Sequence, residues 1–168
     1  MKTPAVLLRR LLTCLLLAAL SSVALAKEEQ QRLAIKRVYT GWRDAASFKR
    51  ISEYFDGKEN THGEAVLRTH ADERAGYYFL VRVQNPGPVR TVRAMLQVIT
   101  SANSRATTYP FTTELKANGD TVFNLGLTGV DWTDPKGHPV AWKLDLTDTD
   151  GQPLATETSY LWEKPAAP

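Results

Sequence analysis

Apolar residues that recur at every second position constrain this chain more than any other feature. Period two belongs to a strand that buries one face and leaves the other wet. Tyr77, Phe79, Val81 and Val83 share one side, with Arg82 and Gln84 on the other. Val92, Ala94, Leu96 and Val98 do the same within 89–100, against Arg93 and Gln97. Tyr109, Phe111, Thr113 and Leu115 form a third set, and Phe123, Leu125 and Leu127 a fourth within 121–127. Val140, Trp142, Leu144 and Leu146 form a fifth, facing away from Lys143 and Asp145. Further strands are expected at 33–39, 64–69 and 154–162. Between them the chain is punctuated by Asn85-Pro86-Gly87-Pro88, by Asn118-Gly119 and by Asp150-Gly151. Proline removes an amide donor and glycine admits unusual dihedrals, so each marks a turn. Asn118-Gly119 reads as a hairpin joining the strands on either side of it.

Seven or eight short strands at this spacing predict a mainly β protein, an antiparallel β-sandwich. The pattern resembles the immunoglobulin and fibronectin architectures, although antibody-type domains also carry a Cys…Trp…Cys signature. Here the sole cysteine is Cys14. One segment breaks the β pattern. Phe48, Ile51 and Phe55 recur at spacings of three and four, predicting a short helix over 44–56, capped by Asp44 and ended at Gly57. One domain is expected over 27–163, followed by a frayed tail at 164–168.

The N-terminus has the layout of a secretory signal peptide over 1–26. Lys2, Arg9 and Arg10 precede an apolar run, 11–20, and Ala24-Leu25-Ala26 offers a small-residue cleavage site before Lys27. Cys14 lies inside the run, where a lipoprotein would have its cysteine at the cut. Leu8 precedes Arg9-Arg10, where a twin-arginine signal has Ser or Thr. The 16 residues from Leu11 to Ala26, interrupted by Thr13, Ser21 and Ser22, fall short of the roughly 20 needed to span a bilayer. The general secretory route, to periplasm or medium, is the expected destination.

Removing the leader changes the chemistry that the chain can offer. Three of its 21 basic residues are Lys2, Arg9 and Arg10, which leaves 18 against 18 acidic ones. The apparent pI near 9.0 therefore belongs largely to the leader, and overall basicity is no argument for nucleic-acid binding. Without Cys14 the mature chain has no disulfide, no thiolate nucleophile and no Cys-ligated metal. A domain of about 140 residues can bury about two-thirds of its unfolded surface without such staples.

Candidate sites follow from residue type and place. Trp132 stands in the turn-rich run Asp131-Trp132-Thr133-Asp134-Pro135, and Trp42 lies between Gly41 and Arg43. Exposed aromatics flanked by Asp131 and Asp134 would suit sugar stacking, whereas a loop tryptophan can equally plug the end of a sandwich. Trp142 is in phase with the core, and Trp162 reads as core or rim. Asp148 and Asp150 resemble the opening of a calcium loop. Counting from Asp148, however, the fifth and twelfth positions are Gln152 and Ser159, and Asp-Gly is an ordinary turn. The histidines His62, His70 and His138 lack zinc-motif spacing. His70-Ala71-Asp72 could orient an imidazole, yet no G-x-S-x-G elbow accompanies it.

Charge is divided along the chain. Residues 27–105 carry 14 basic and 9 acidic side chains, and 106–168 carry 4 and 9. Arg68, Arg82, Arg90 and Arg93 would make a face for an anionic partner if they shared one sheet. No cofactor motif is present, and no cofactor or nucleic-acid partner is expected. The leading expectation is an exported, non-enzymatic β-sandwich that touches another protein or an envelope component. A carbohydrate-binding module using Trp132 or Trp42 is the alternative, and a small hydrolase the third reading. The exported protein is expected to begin at Lys27 and to react with no thiol reagent. Intact mass with and without maleimide checks this, and a mass retaining residues 1–26 would contradict it.

Overall fold

A computed structural model describes residues 32–48, 61 and 63–162. Its eight strands all lie in the compact unit Leu33–Pro168. They are β1 (Ala34–Arg43), β2 (Ala65–Arg68), β3 (Gly76–Asn85), β4 (Arg90–Ile99), β5 (Thr107–Leu115), β6 (Gly119–Thr128), β7 (Ala141–Thr147) and β8 (Pro153–Thr158). Two four-stranded sheets result, ordered β1-β3-β6-β2 and β5-β4-β7-β8. The period-two sets become the facing inner surfaces. Phe79, Val81 and Val83 of β3 and Phe123 and Leu125 of β6 meet Val92, Ala94, Leu96, Leu144 and Leu146 of the second sheet in one core. Burial of such side chains is worth about 1.5–3 kcal/mol each before entropy is counted.

Several expectations change when strands are assigned to sheets. Asn118-Gly119 is a turn, with Asn118 left-handed at φ 48°, but it joins no hairpin. The β5 and β6 strands on either side of it belong to different sheets. The Asn85–Pro88 break likewise carries the chain from one sheet to the other. One buried side chain ties these two crossings together: the Asn85 amide donates to Pro88 O at 2.7 Å and Lys116 O at 2.9 Å. Asn118 N donates to Gly87 O at 2.9 Å beside it. Nor is the sandwich wholly antiparallel. β6 lies between β3 and β2, antiparallel to the first and parallel to the second. Alternation shows that a strand has one buried face, but not which neighbour fills the slot beside it.

The ends of two elements also move. The last strand stops at Thr158, so Tyr160 and Leu161 are exposed and Trp162, half-buried, lies in a turn rather than on a strand face. β7 begins at Ala141, leaving Val140 exposed, and Trp142 is half-buried against Phe79 at 5.8 Å. Of the helix expected at 44–56, residues 45–48 form a 3-10 turn with Asp44 Oδ1 accepting from Ser47 N at 2.7 Å. Ile51, Phe55 and Gly57 lie outside the described residues.

β3 is covered on both faces at its start and on one face only further along. Tyr77 and Phe79 point into the core. Tyr78 points outward yet is just as buried, because Phe48 packs on it at 4.7 Å and Arg68 Nε donates to its hydroxyl at 2.8 Å. The ring seats on Gly126, its cross-strand partner: a Cβ there would lie 2.5 Å from Tyr78 Cε1. On the same outer face Asn124 is buried with its Oδ1 meeting no donor among the described residues, a cost of about 1–3 kcal/mol that the surrounding packing offsets. Gly126→Ala should therefore destabilise by about 1–3 kcal/mol, since a ring held on both sides cannot withdraw. Gly41→Ala, with nothing within 4 Å of the added Cβ and no left-handed φ, should keep or slightly raise the unfolding midpoint. Urea denaturation of both variants checks the contrast, and equal losses would contradict it.

Candidate functional site

Trp132 is buried, 8% exposed, at one end of the sandwich. Thr128 leads β6 into a 3-10 turn, Gly129–Asp131, where Gly129 takes a left-handed φ of 58° and Trp132 N closes on Gly129 O. The indole then packs on Tyr77 at 4.7 Å and donates from Nε1 to Asp134 O at 3.0 Å. Both the apolar and the polar part of the side chain are thus used internally, which makes Trp132 a plug over the core rather than a stacking platform. Asp134 supports the same loop, its Oδ1 accepting from Lys136 N at 2.9 Å.

Around the plug the structure gathers two histidines, and His70 has a different partner from the Asp72 that the sequence suggested. His70 Nε2 meets Asp131 Oδ2 at 3.1 Å, so Asp131 rather than Asp72 holds the imidazole. The His70 backbone is fixed separately: its N donates to Thr128 Oγ1, and Thr128 Oγ1 donates to His70 O, both at 3.0 Å. Tyr77 Oη lies 3.2 Å from Thr40 Oγ1 and 3.5 Å from His138 Nδ1. Burial, and secondarily the charge of Asp131, hold the Tyr109 phenol above its ordinary 10.0. The His70–Asp131 pair fastens the loop after β2 to the loop after β6. Among the described residues no three His, Cys, Asp or Glu side chains gather where they could hold a metal.

The remaining candidates are scattered. Asp148 Oδ1 accepts from Asp150 N at 2.9 Å and Gln152 N at 2.8 Å, and Gly151 is left-handed at φ 84°. This is the chemistry of a tight turn, here in a true hairpin between β7 and β8. The four arginines do not share a face. Arg68 and Arg82 lie on the first sheet and Arg90 and Arg93 on β4 of the second, so the single anionic-partner face expected from them does not form. Trp42 points inward opposite Tyr77 and is half-buried against the core.

A different cationic group assembles on the outer face of the first sheet. The β1–β3 register slips between Ile35 and Arg37. In such a bulge two residues oppose one, and the phase of the strand is reset. Lys36 and Arg37 therefore stand together opposite Arg82, and Tyr39 follows on the same face beside Leu80. Lys36, Arg37, Tyr39 and Arg82 line a shallow cleft of about 320 Å³. Lys36 Nζ lies 3.7 Å from Asp120, while Arg37 and Arg82 pair with no acid among the described residues. Tyr39 is 56% exposed, and the Arg37 guanidinium lies 5.3 Å from its ring centre and donates to its hydroxyl. Beyond Tyr39 a second cleft, about 240 Å³, runs over Gly41 towards Arg43, Tyr78 and Leu80. Residue type and spacing do not single out Lys36, Arg37 or Tyr39. The available signal was the slip in phase, since Leu33 and Ile35 are odd-numbered inward positions, whereas Val38 and Trp42 are even.

No protein-family model matches the chain, and no curated protein matches it. No helix among the described residues is long and apolar enough to cross a membrane. As a plug, Trp132 should cost about 3–5 kcal/mol of stability when changed to Ala. Chemical denaturation followed by circular dichroism checks this, and an unchanged midpoint would contradict the assignment.

Proposed function

We propose that this chain is an exported, non-enzymatic contact module that holds an acidic partner or envelope component against the outer face of its first sheet. The observation that carries the reading is the gathering of Lys36, Arg37 and Arg82 around one open cleft that no described carboxylate lines. Lys36 is already paired with Asp120, but Arg37 and Arg82 stand opposite each other with no acid among the described residues, and an anionic surface relieves their repulsion. Such complementarity chiefly sets the approach rate and the choice of partner. The basic start and apolar run of the leader support export, as expected from the sequence.

With β2 set aside, the remaining strands order as first-second-fifth and fourth-third-sixth-seventh, counted along the chain. That supports an immunoglobulin-like or fibronectin-like sandwich in which the fourth strand has joined the sheet opposite to its constant-domain place. Fold alone assigns no function.

Co-sedimentation of the mature chain with isolated cell envelopes tests the contact reading. Retention is expected to fall at least about tenfold in the Arg37→Glu/Arg82→Glu variant. It should also be lost in about 1 M salt, where charges are screened beyond about 3 Å. Retention that ignores both changes would overturn the proposal.

A further inference from the structure

The two clefts on either side of Tyr39 differ in chemistry, and the difference narrows what they can hold. On one side Lys36, Arg37 and Arg82 offer guanidinium and ammonium groups. On the other, Gly41 leaves a stretch of strand without a side chain, bounded by Tyr39 and Leu80 and open above its Cα. Gly41 is not among the left-handed glycines, so its backbone does not require glycine. What the missing side chain provides is space. Both volumes sit near the lower end of ligand clefts, about 300 Å³, suited to one small ring apiece. The strip from Lys36 to Gly41 spans about 17 Å at about 3.3 Å per residue, enough for several linked rings.

From this we infer that the β1–β3 face is a binding site for an anionic polysaccharide, a chain of uronate-like sugars. This rests on the contact reading above and names its ligand class. One ring lies over Gly41 with its C–H face on the exposed Tyr39. The carboxylate of the next enters the Lys36–Arg37–Arg82 cleft, where planar guanidinium groups match its two oxygens. The Arg37–Tyr39 contact holds the ring and the cation in register before any ligand arrives. That preorganisation lowers the ordering cost of binding. An acidic peptide would satisfy the cations but would make no use of an exposed ring beside an empty strand floor.

Calorimetric titration of the mature chain with oligogalacturonate, neutral dextran oligomers and poly-glutamate separates these cases. Oligogalacturonate should bind at least about tenfold more tightly than either other probe, as one well-placed contact can supply. Arg82→Glu and Tyr39→Ala should each weaken it at least about tenfold, and Gly41→Val, by filling the second cleft, should do the same. All three positions are open to solvent or to empty space, and unchanged circular dichroism will show that the variants fold. Equal affinity for poly-glutamate, or indifference to Tyr39→Ala and Gly41→Val, overturns the sugar assignment. If oligogalacturonate fails to bind while envelope retention still depends on Arg37 and Arg82, this inference falls and the contact reading stands. If that dependence is absent as well, both fall.

Discussion

The structure depends on how the two faces of β3 are covered. Its inner residues, from Tyr77 to Val83, form the floor of the core, and nearly every other strand is placed by the need to bury them. Its outer face is treated unequally. At the start, Tyr78 is roofed by Phe48 and Arg68 and seated on Gly126. Further along, Arg82 faces solvent. The border between the roofed and open parts falls at Leu80, beside Tyr39, and there the sheet surface becomes a pair of clefts. The proposed recognition surface therefore lies where the roof stops.

The same logic assigns the aromatic residues their places. An aromatic ring on a sandwich can join the core, cap an open end or stand in water. Phe79 and Phe123 take the first course, and Trp132 the second, with its indole N–H satisfied by Asp134 O. Tyr39 takes the third, accompanied by a guanidinium that is itself without an acidic partner among the described residues. Among the described loop and strand aromatics, it combines high exposure with adjoining cations. The His70–Asp131 pair closes the opposite kind of surface, a loop-to-loop fastening around the plug.

How far the sequence could be read follows from what each signal encodes. Alternation located the strands because it reports burial, and burial is local to a strand once its two faces differ. It could not separate Asn118-Gly119 as a crossing from Asn118-Gly119 as a hairpin, since the same left-handed residue serves both. It also could not foresee the parallel β2, whose four residues fill a slot beside β6. The tryptophans drew attention by their size, although a large indole in a turn is well suited to plugging a core. The proposed site is encoded in a defect: the bulge at Lys36-Arg37 turns two successive cations to one face, and a strict period-two reading sends one of them inward. Arg68, Arg82, Arg90 and Arg93 would make one face only on a shared sheet, and the alternation of sheets along the chain separates them.

The proposed recognition surface is the β1–β3 face, whereas the Trp132 end of the sandwich is closed by packing. Amide and arginine side-chain NMR shifts of the mature chain, followed during titration with oligogalacturonate, test it most directly. Shifts are expected at Lys36, Arg37, Tyr39, Gly41 and Arg82, with His70, Asp131 and Trp132 silent. Shifts centred on Trp132 and Asp131, with β1 unmoved, would contradict it.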